Sequence, residues 1–327
     1  MKAAWFEQFG SAADVLQIGE LERPEPAPGE VRVRLACSGV NPSDVKKRMG
    51  SMPALLDEGP VIPHSDGAGE IDAVGEGVDP GRVGQRVWVY QAQHGRRLGT
   101  AAEYVCVEDR RAPQLPDNTS FSVGACIGIP VMTAHRCVLA DGPVAGQTLL
   151  VTGGAGRVGH YAIQWASLAG ARVIATASQP EDAQACREAG AIAVVNHREA
   201  DWGRQVVDAA GGEKVDRVID VEFGANLDQV LDCVRVSGTI VTYGSAQVME
   251  PALPFYRMMF MDLVLRMVIV YDMPEVAKNL AIQDIQRCLA ADELQHRIAR
   301  EWSLDEIVSA HEMIEQGGFR GCVVVNS

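Results

Sequence analysis

The chain has 327 residues, of which 47% are hydrophobic, a length that allows one or two domains with sizeable buried cores. Its formal net charge of −14 gives a surface that repels phosphodiester backbones and anionic membranes, so we expect neither nucleic acid nor a membrane as a partner. The eight cysteines form no CxxC pair and no compact framework, which is typical of core thiols in a reducing cytoplasm.

Residues 1 to about 125 have the pattern of a β-rich domain. Short alternating apolar runs such as VRVRLAC, GEIDAV and RVWVY are separated by turn clusters such as PEPAPGE and GVDPG. This pattern predicts a compact barrel or sandwich.

Residues 126–270 change to an alternating pattern. Five short apolar runs, at 149–152, 171–177, 191–195, 215–221 and 238–244, alternate with segments of helical period. Strand and helix repeated in this way predict a doubly wound parallel sheet. The apolar run between Leu263 and Tyr271 adds a strand that would be an exposed sheet edge in a monomer, and pairing across a two-fold axis would cover it. We therefore predict a homodimer through this strand.

Residues 271–327 contain two amphipathic helical segments and a final strand, GCVVV. The second helical segment opens with a Ser303-x-x-Glu306 capping box. We expect the lone final strand to pair back onto the N-terminal β region, which makes this segment a return to the first domain.

The stretch LLVTGGAGRVGHYAIQWA, which begins at Leu149, carries the most specific motif. A short strand runs directly into Gly154-x-Gly156-x-x-Gly159 and then into a helix with Val158, Ala162, Trp165 and Ala166 on one face. Glycines in this arrangement permit a tight turn and a close approach to a pyrophosphate, and the helix N-terminus favours the anion. The motif predicts a dinucleotide site.

The second strand of this sheet ends at Ala177-Ser178, without the carboxylate that would bind the adenosine ribose hydroxyls of NAD. This ending favours NADPH, because nothing there repels a 2′-phosphate and Ser178 can donate a hydrogen bond to it. His197 or Arg198, after the third strand, would add positive charge, although a solvated loop cation is an equal interpretation of Arg198.

The chain has a β-rich domain, then a dinucleotide-binding sheet, then a return to the first domain. In this order of domains it resembles the medium-chain dehydrogenase/reductase superfamily, and the resemblance covers nearly the whole chain. The segments GVNPSDVKKRMG, PVIPHSDGAGEIDAVGEGV, GTAAEYV and SAHEMIEQG look like the quinone oxidoreductase (ζ-crystallin-like) branch. The resemblance implies an α/β protein with an N-terminal GroES-like β-barrel domain and a Rossmann doubly wound parallel sheet.

Two other families fit less well. In zinc alcohol dehydrogenases a Cys and a His bind the catalytic zinc, and the aligned residues here are Asn41 and Ser65. The four-cysteine loop that binds their structural zinc is replaced by YQAQHGRRLG, which has no cysteine. The sequence therefore predicts no metal site. His64 lies one position before the residue aligned with the histidine ligand, and a lone histidine there is more typical of a structural residue than of a ligand. The short-chain reductases need Tyr-x-x-x-Lys, and none of the six tyrosines has it.

The resemblance also assigns the site residues. Asn41 is expected near the nicotinamide and the substrate, with a turn-forming asparagine before Pro42 as the alternative, and Asp44 orients local groups. Thr133 matches a threonine that approaches the nicotinamide, and Lys46 stands where many relatives have Tyr, as a donor or a solvated lysine. The residues expected to bind the cofactor are Gly153, Gly154, Ala155, Gly156, Arg157, Val158, Gly159, Ser178, His197, Arg198, Phe223, Tyr243 and Gly244. For Phe223 the alternative is that it belongs only to the hydrophobic core. Relatives that grip the 2′-phosphate use Lys and Tyr where this chain has Asp182 and His197, which counts against NADPH.

The expected activity is zinc-independent, NADPH-dependent hydride transfer to quinones or related conjugated carbonyls, whose own conjugation spreads the developing negative charge. The alternatives are an enoyl or 2-alkenal reductase, in which Lys46, Lys47, Arg48, Arg96 and Arg97 would hold a coenzyme A phosphate, and a non-catalytic NADPH-binding protein.

Overall fold

The computed structural model describes residues 1–327 as 14 strands and 11 α-helices joined by loops and short 3-10 turns. The strands are β1 (Lys2–Trp5), β2 (Gln17–Glu20), β3 (Glu30–Val40), β4 (Asp66–Val74), β5 (Arg86–Val89), β6 (Tyr104–Glu108), β7 (Thr148–Val151), β8 (Arg172–Thr176), β9 (Ala193–Val195), β10 (Val215–Asp220), β11 (Val234–Thr242), β12 (Val264–Met267), β13 (Ile298–Ser303) and β14 (Cys322–Asn326). The helices are α1 (Ala12–Val15), α2 (Pro42–Arg48), α3 (Phe121–Gly124), α4 (Gly128–Leu139), α5 (Arg157–Leu168), α6 (Pro180–Glu188), α7 (Trp202–Ala209), α8 (Phe223–Cys233), α9 (Phe255–Phe260), α10 (Glu275–Ala290) and α11 (Ile307–Gln316).

The chain divides into two compact units. The discontinuous unit comprises Met1–Ile129 and Ile282–Ser327, and the central unit comprises Pro130–Ala281. The sequence analysis placed the changes of pattern after residues 125 and 270. Each junction falls inside a helix, α4 or α10, that continues from one unit into the other. Hydrophobic periodicity does not change within a helix, so it gives no signal of such a junction.

The central unit is built on a six-stranded sheet in the order β12-β11-β10-β7-β8-β9, and every neighbouring pair is parallel. Numbered within the unit, this is the doubly wound order 3-2-1-4-5-6 read from β9. The five predicted strands are present, and β12, from the run after Leu263, lies at one edge as expected. The strands are apolar throughout because both faces are covered, as the full burial of Leu150, Val218 and Ile240 shows.

The discontinuous unit contains an antiparallel arrangement with one parallel pair at its end. Its sheet has the order β13-β14-β3-β4-β5, with β6 also paired to β3 and β1-β2 forming a separate ribbon. The long strand β3 therefore pairs with β4, β6 and β14. Because β14 pairs antiparallel with β3, with Val323 opposite Val40, the predicted return of the final strand is confirmed.

The capping box at Ser303 is also present. The backbone N–H and the hydroxyl of Ser303 donate to Glu306 Oε2, at 3.1 and 2.7 Å, and a single 3-10 turn leads from the box into α11. None of the helices combines the length and the apolar character that crossing a bilayer would need.

Candidate functional site

The glycine turn lies between β7 and α5, where side chains at positions 154 and 159 would collide with the surrounding protein. A Cβ on Gly159 would lie 2.3 Å from the carbonyl oxygen of Gly153, and one on Gly154 would lie within 2.9 Å of three side chains. Gly153 has φ +59°, in the left-handed region that favours glycine. Gly156 is the N-cap of α5 and supplies no side chain to the first helical turn, so an anion meets no competing cap there.

A buried carboxylate network supports the same end of the sheet. Thr152 Oγ1 donates to Asp220 Oδ1 at 2.5 Å and accepts the backbone N–H of Val221 at 3.0 Å. Asn226 Nδ2 donates to the same carboxylate oxygen at 2.8 Å. Burial raises the pKa of Asp220 above its ordinary value. The sequence analysis did not identify Asp220, although its place at the end of a predicted strand was a usable signal.

The residues expected near a 2′-phosphate follow neighbouring strands. Ala177 N–H donates to the Val195 carbonyl at 3.0 Å, so Ser178 and His197 leave β8 and β9 at the same edge of the sheet. Ser178 is half-buried, and His197 and Arg198 are exposed. Asp182 lies in the first turn of α6 and is 7% exposed.

The other expected cofactor residues differ in burial. Phe223 begins α8, is 3% exposed and belongs to the apolar core with Leu227 and Ile240, which matches the core interpretation. Tyr243 and Gly244 are half-buried just beyond β11. A Cβ on Gly244 would lie 2.6 Å from the Val221 carbonyl oxygen, so two strand ends approach closely there.

In the discontinuous unit, Asn41 and Asp44 cap helix α2. Asp44 Oδ2 accepts the Asn41 backbone N–H at 2.8 Å, completing a capping box with Pro42 in the first turn. The Asn41 side chain also donates from Nδ2 to Asp66 Oδ2 at 3.0 Å, so its amide is held in a fixed orientation. The orienting role expected of Asp44 and the turn-forming role of Asn41 both describe this geometry.

Asp66, in the HSDGAG segment, is fully buried and was not identified from the sequence. Its Oδ2 accepts from Asn41 and from the Ile129 backbone N–H at 2.8 Å, whereas its Oδ1 has no hydrogen-bond partner. Burial raises the pKa of Asp66 to about 8, against the opposing effect of the Ile129 hydrogen bond. The carboxyl group is therefore protonated near neutral pH.

The two lysines of α2 have opposite environments. Lys46 is exposed, and Lys47 is 5% exposed, with its ammonium 3.2 Å from Gln93 Oε1 and 3.4 Å from Ser65 Oγ. Burial lowers the pKa of Lys47, while the neighbouring Asp44 carboxylate opposes that shift. The sequence analysis considered Lys46 as a donor or a solvated lysine and did not single out Lys47, because helical periodicity alone does not tell which lysine faces the interior.

His64 is a structural residue in a buried chain of hydrogen bonds. Its Nδ1 lies 2.8 Å from Ser38 Oγ and its Nε2 lies 2.9 Å from Nε2 of His311. His311 Nδ1 in turn accepts from Arg48, which also binds the Gly10 carbonyl and Glu315. Burial lowers the pKa of His64 to about 3, so the ring is neutral. The structural interpretation of His64 agrees with these contacts.

A zinc ion does not fit these residues. Asn41 and Ser65 occupy the two positions aligned with zinc ligands. Asn41 donates a hydrogen bond to Asp66, and the Ser65 hydroxyl accepts one from the Lys47 ammonium. An amide and a hydroxyl are poor zinc ligands beside thiolate and imidazole, and an ammonium next to them repels a cation. Thr133, the remaining expected catalytic residue, is 5% exposed in α4 and belongs to the central unit.

Comparisons with known proteins agree with both units. Residues 27–117 match the model of the alcohol dehydrogenase GroES-like domain, and residues 158–287 match the model of the zinc-binding dehydrogenases. A quinone oxidoreductase of Pseudomonas aeruginosa is 32% identical over 75% of this chain and 74% of its own, and the human quinone oxidoreductase is 29% identical over 97% and 94%. A mycobacterial protein solved in complex with NADPH is 27% identical over the full length of both chains, with a TM-score of 0.88.

The GroES-like fold of the discontinuous unit and the Rossmann-like sheet of the central unit are thus shown by the sheets and by these matches together. The chain belongs to the medium-chain dehydrogenase/reductase superfamily and, within it, to the quinone oxidoreductase branch of oxidoreductases.

Proposed function

We propose that the protein is a zinc-independent NADPH-dependent reductase that transfers hydride to quinones or related conjugated carbonyls. The observation that carries the proposal is the glycine turn at the start of α5, which suits a dinucleotide. In the discontinuous unit, Asn41 and Ser65 stand where zinc relatives have metal ligands, and they are hydrogen-bonded to Asp66 and Lys47. The central unit, Pro130–Ala281, is the cofactor-binding half in this proposal, and the discontinuous unit is the substrate-binding half.

The turn suits a dinucleotide because Gly154 and Gly159 let the chain pack closely against its neighbours, and Gly156 brings bare backbone to the start of α5. Gly153, Gly154, Ala155 and Gly156 would surround the pyrophosphate, with Arg157, Val158 and Gly159 in the first turn of α5 behind it. When bound, NADPH supplies the hydride for the reaction. Tyr243 and Gly244 would line the cofactor beyond β11, whereas Phe223 would support it from the core.

The choice of NADPH over NADH rests on the edge beyond β8 and β9. Ser178 is half-buried and carries a hydroxyl, and His197 and Arg198 lie just beyond the neighbouring strand β9. Asp182 also begins α6 at this edge, but it is 7% exposed, so most of its surface is covered. A hydroxyl, an imidazole and a guanidinium together favour a 2′-phosphate.

The chemistry asks little of the protein beyond position and hydrogen bonds. A quinone or an enone delocalises the negative charge that a simple carbonyl would concentrate, so hydride transfer proceeds without a Lewis acid. Asn41, oriented by Asp66, would bind near the nicotinamide and the acceptor, and Asp44 would hold α2 in place. Thr133, on α4, is expected to approach the nicotinamide, and Lys46, on α2, is a donor or a solvated lysine.

We expect the enzyme to act as a cytoplasmic homodimer. Val264, Met267 and Ile269 are exposed on and beside β12, which has a free edge. Pairing of β12 with its copy would cover these side chains and the unpaired backbone groups. Light scattering at micromolar concentration is expected to give about twice the chain's mass of 35.1 kDa, and a monomer would contradict this.

The proposal is tested by following absorbance at 340 nm with NADPH and NADH side by side, against 1,4-benzoquinone, 9,10-phenanthrenequinone and a 2-alkenal, with and without chelator. Chelator-insensitive oxidation of NADPH by quinones is the expected result. Consumption of the alkenal alone would favour the enoyl reductase alternative, and tight NADPH binding without any turnover would favour the non-catalytic one.

A further inference from the structure

A cavity of about 490 Å³ lies entirely within the discontinuous unit. Its apolar lining includes Met52 and Leu55, and its polar lining includes Gln93 and Arg97. These two polar residues belong to the segment YQAQHGRRLG, which replaces the four-cysteine loop of the zinc alcohol dehydrogenases. A volume of this size matches small-molecule sites, which combine apolar walls with a few placed polar groups.

Gln93 is the lining residue with an unused donor. It is 2% exposed, and its Oε1 accepts from the Lys47 ammonium at 3.2 Å. Because an ammonium only donates, this contact fixes which end of the amide faces Lys47. The other end, Nε2, is buried and has no hydrogen-bond partner. An unpaired buried N–H is unfavourable, so a ligand oxygen that accepts from it gains affinity.

We propose that this cavity is the acceptor pocket, that Gln93 Nε2 donates a hydrogen bond to a carbonyl oxygen of the conjugated substrate, and that Lys47 is the positioning residue of that amide. The inference rests on the proposed function, because it names the group that holds the oxygen of the reducible carbonyl. Gln93 would thus help to determine substrate specificity, a role that the sequence analysis did not assign to it.

The charges of the lining indicate a neutral ligand. Asp57 and Glu58 line the cavity and repel anions. Arg96 is already paired with Glu30 at 2.9 Å and with the Cys106 carbonyl, and Arg97 donates to the Pro60 carbonyl at 3.0 Å. These arginines hold the loop in place, so an uncharged quinone or enone suits the pocket better than a thioester of coenzyme A with its phosphates.

The test measures binding separately from turnover. Protein saturated with NADP⁺, which cannot reduce the ligand, is titrated calorimetrically with 9,10-phenanthrenequinone. Gln93→Glu keeps the partner of Lys47 and the shape of the side chain but replaces the free N–H by an oxygen. We expect it to weaken quinone binding by about tenfold or more while NADP⁺ affinity is unchanged. Gln85→Glu, a half-buried position of the same unit that makes one solvent-exposed hydrogen bond, is the matched control and is expected to bind as the wild type does.

Lys47→Met tests the positioning role. Without the ammonium the Gln93 amide is free to turn, so the KM for the quinone is expected to rise several-fold while the KM for NADPH is unchanged. Lys47→Arg restores a cation that only donates and is expected to recover part of the loss. A thermal melt on each variant confirms that it is folded.

Equal quinone affinity of Gln93→Glu and the wild type would overturn the inference, and so would a wild type that binds no quinone. A wild type that binds quinone through Gln93 but oxidises no NADPH would instead leave this pocket in place and refute the proposed reductase activity.

Discussion

The two units differ in how the sequence builds their sites. In the central unit the site is made of backbone, because Gly153, Gly154 and Gly159 matter through the side chains they lack. In the discontinuous unit the site is made of buried side chains, with Asp44, Lys47 and Asp66 all at most 5% exposed. A site built from closely packed backbone is disturbed by added atoms, whereas a site built from buried side chains depends on charge and pH. Substitutions in the two units should therefore have different effects on stability, on cofactor affinity and on pH dependence.

The largest effect is expected from Gly159→Ala. The added methyl would lie 2.3 Å from the Gly153 carbonyl oxygen, so the turn must open. We expect the free energy of unfolding to fall by about 3 kcal/mol and NADPH affinity to fall by about a hundredfold, measured by denaturant titration and cofactor fluorescence. Gly156→Ala meets only a 3.1 Å contact and should lose much less unfolding free energy. Gly81→Ala, in an exposed turn where the Cβ would lie 3.2 Å from the Asp79 carboxylate, is the control outside the site. Equal losses in the two turn variants would contradict the backbone interpretation.

The next effect belongs to the side-chain network of the discontinuous unit. Arg48 is fully buried and donates to the Gly10 carbonyl, His311 and Glu315. Arg48→Met leaves the Gly10 carbonyl and His311 without this donor, and we expect a loss of about 2 kcal/mol in unfolding free energy. NADPH affinity should not change, since the residue belongs to the other unit, and a large loss of affinity would break the proposed division of roles.

The pH dependence of stability should trace to Asp66. Its pKa is raised from 3.8 to about 8 by burial, so between these values the folded protein holds a proton that the unfolded chain has released. This contribution to stability is fully present below pH 4 and is lost as pH rises through about 8. Asp66→Asn mimics the protonated group, so its melting temperature should fall less than that of the wild type from pH 5 to 8. Identical slopes of the two curves would show that another group titrates.

The smallest effect is expected at the capping box. Ser303→Ala removes a hydroxyl that is exposed and bound only to Glu306, and we expect about 1 kcal/mol of destabilisation by denaturant titration, with activity unchanged. No loss at all would show that the 3-10 turn before α11 does not need the cap.

Sequence reasoning succeeded where the signal is local. The strand, the glycine turn and the helix of the cofactor site are adjacent in the chain, and the Ser303 box spans four residues. It failed where contacts are distant: Asp66 meets Asn41 across 25 positions and His64 meets His311 across 247. Whether Lys46 or Lys47 is buried depends on which face of α2 is covered, and that face is set by tertiary packing that the short helix does not encode.

The pairing of β14 with β3 has a consequence for folding during synthesis. The central unit is continuous from Pro130 to Ala281, so all of its strands leave the ribosome before the discontinuous unit can finish. Until residues 322–326 emerge, β3 presents a row of unpaired backbone groups along the positions that Val323 and its neighbours later cover. The half of the molecule that is translated first is therefore completed last, and its open strand is where a truncated or stalled chain would associate with another.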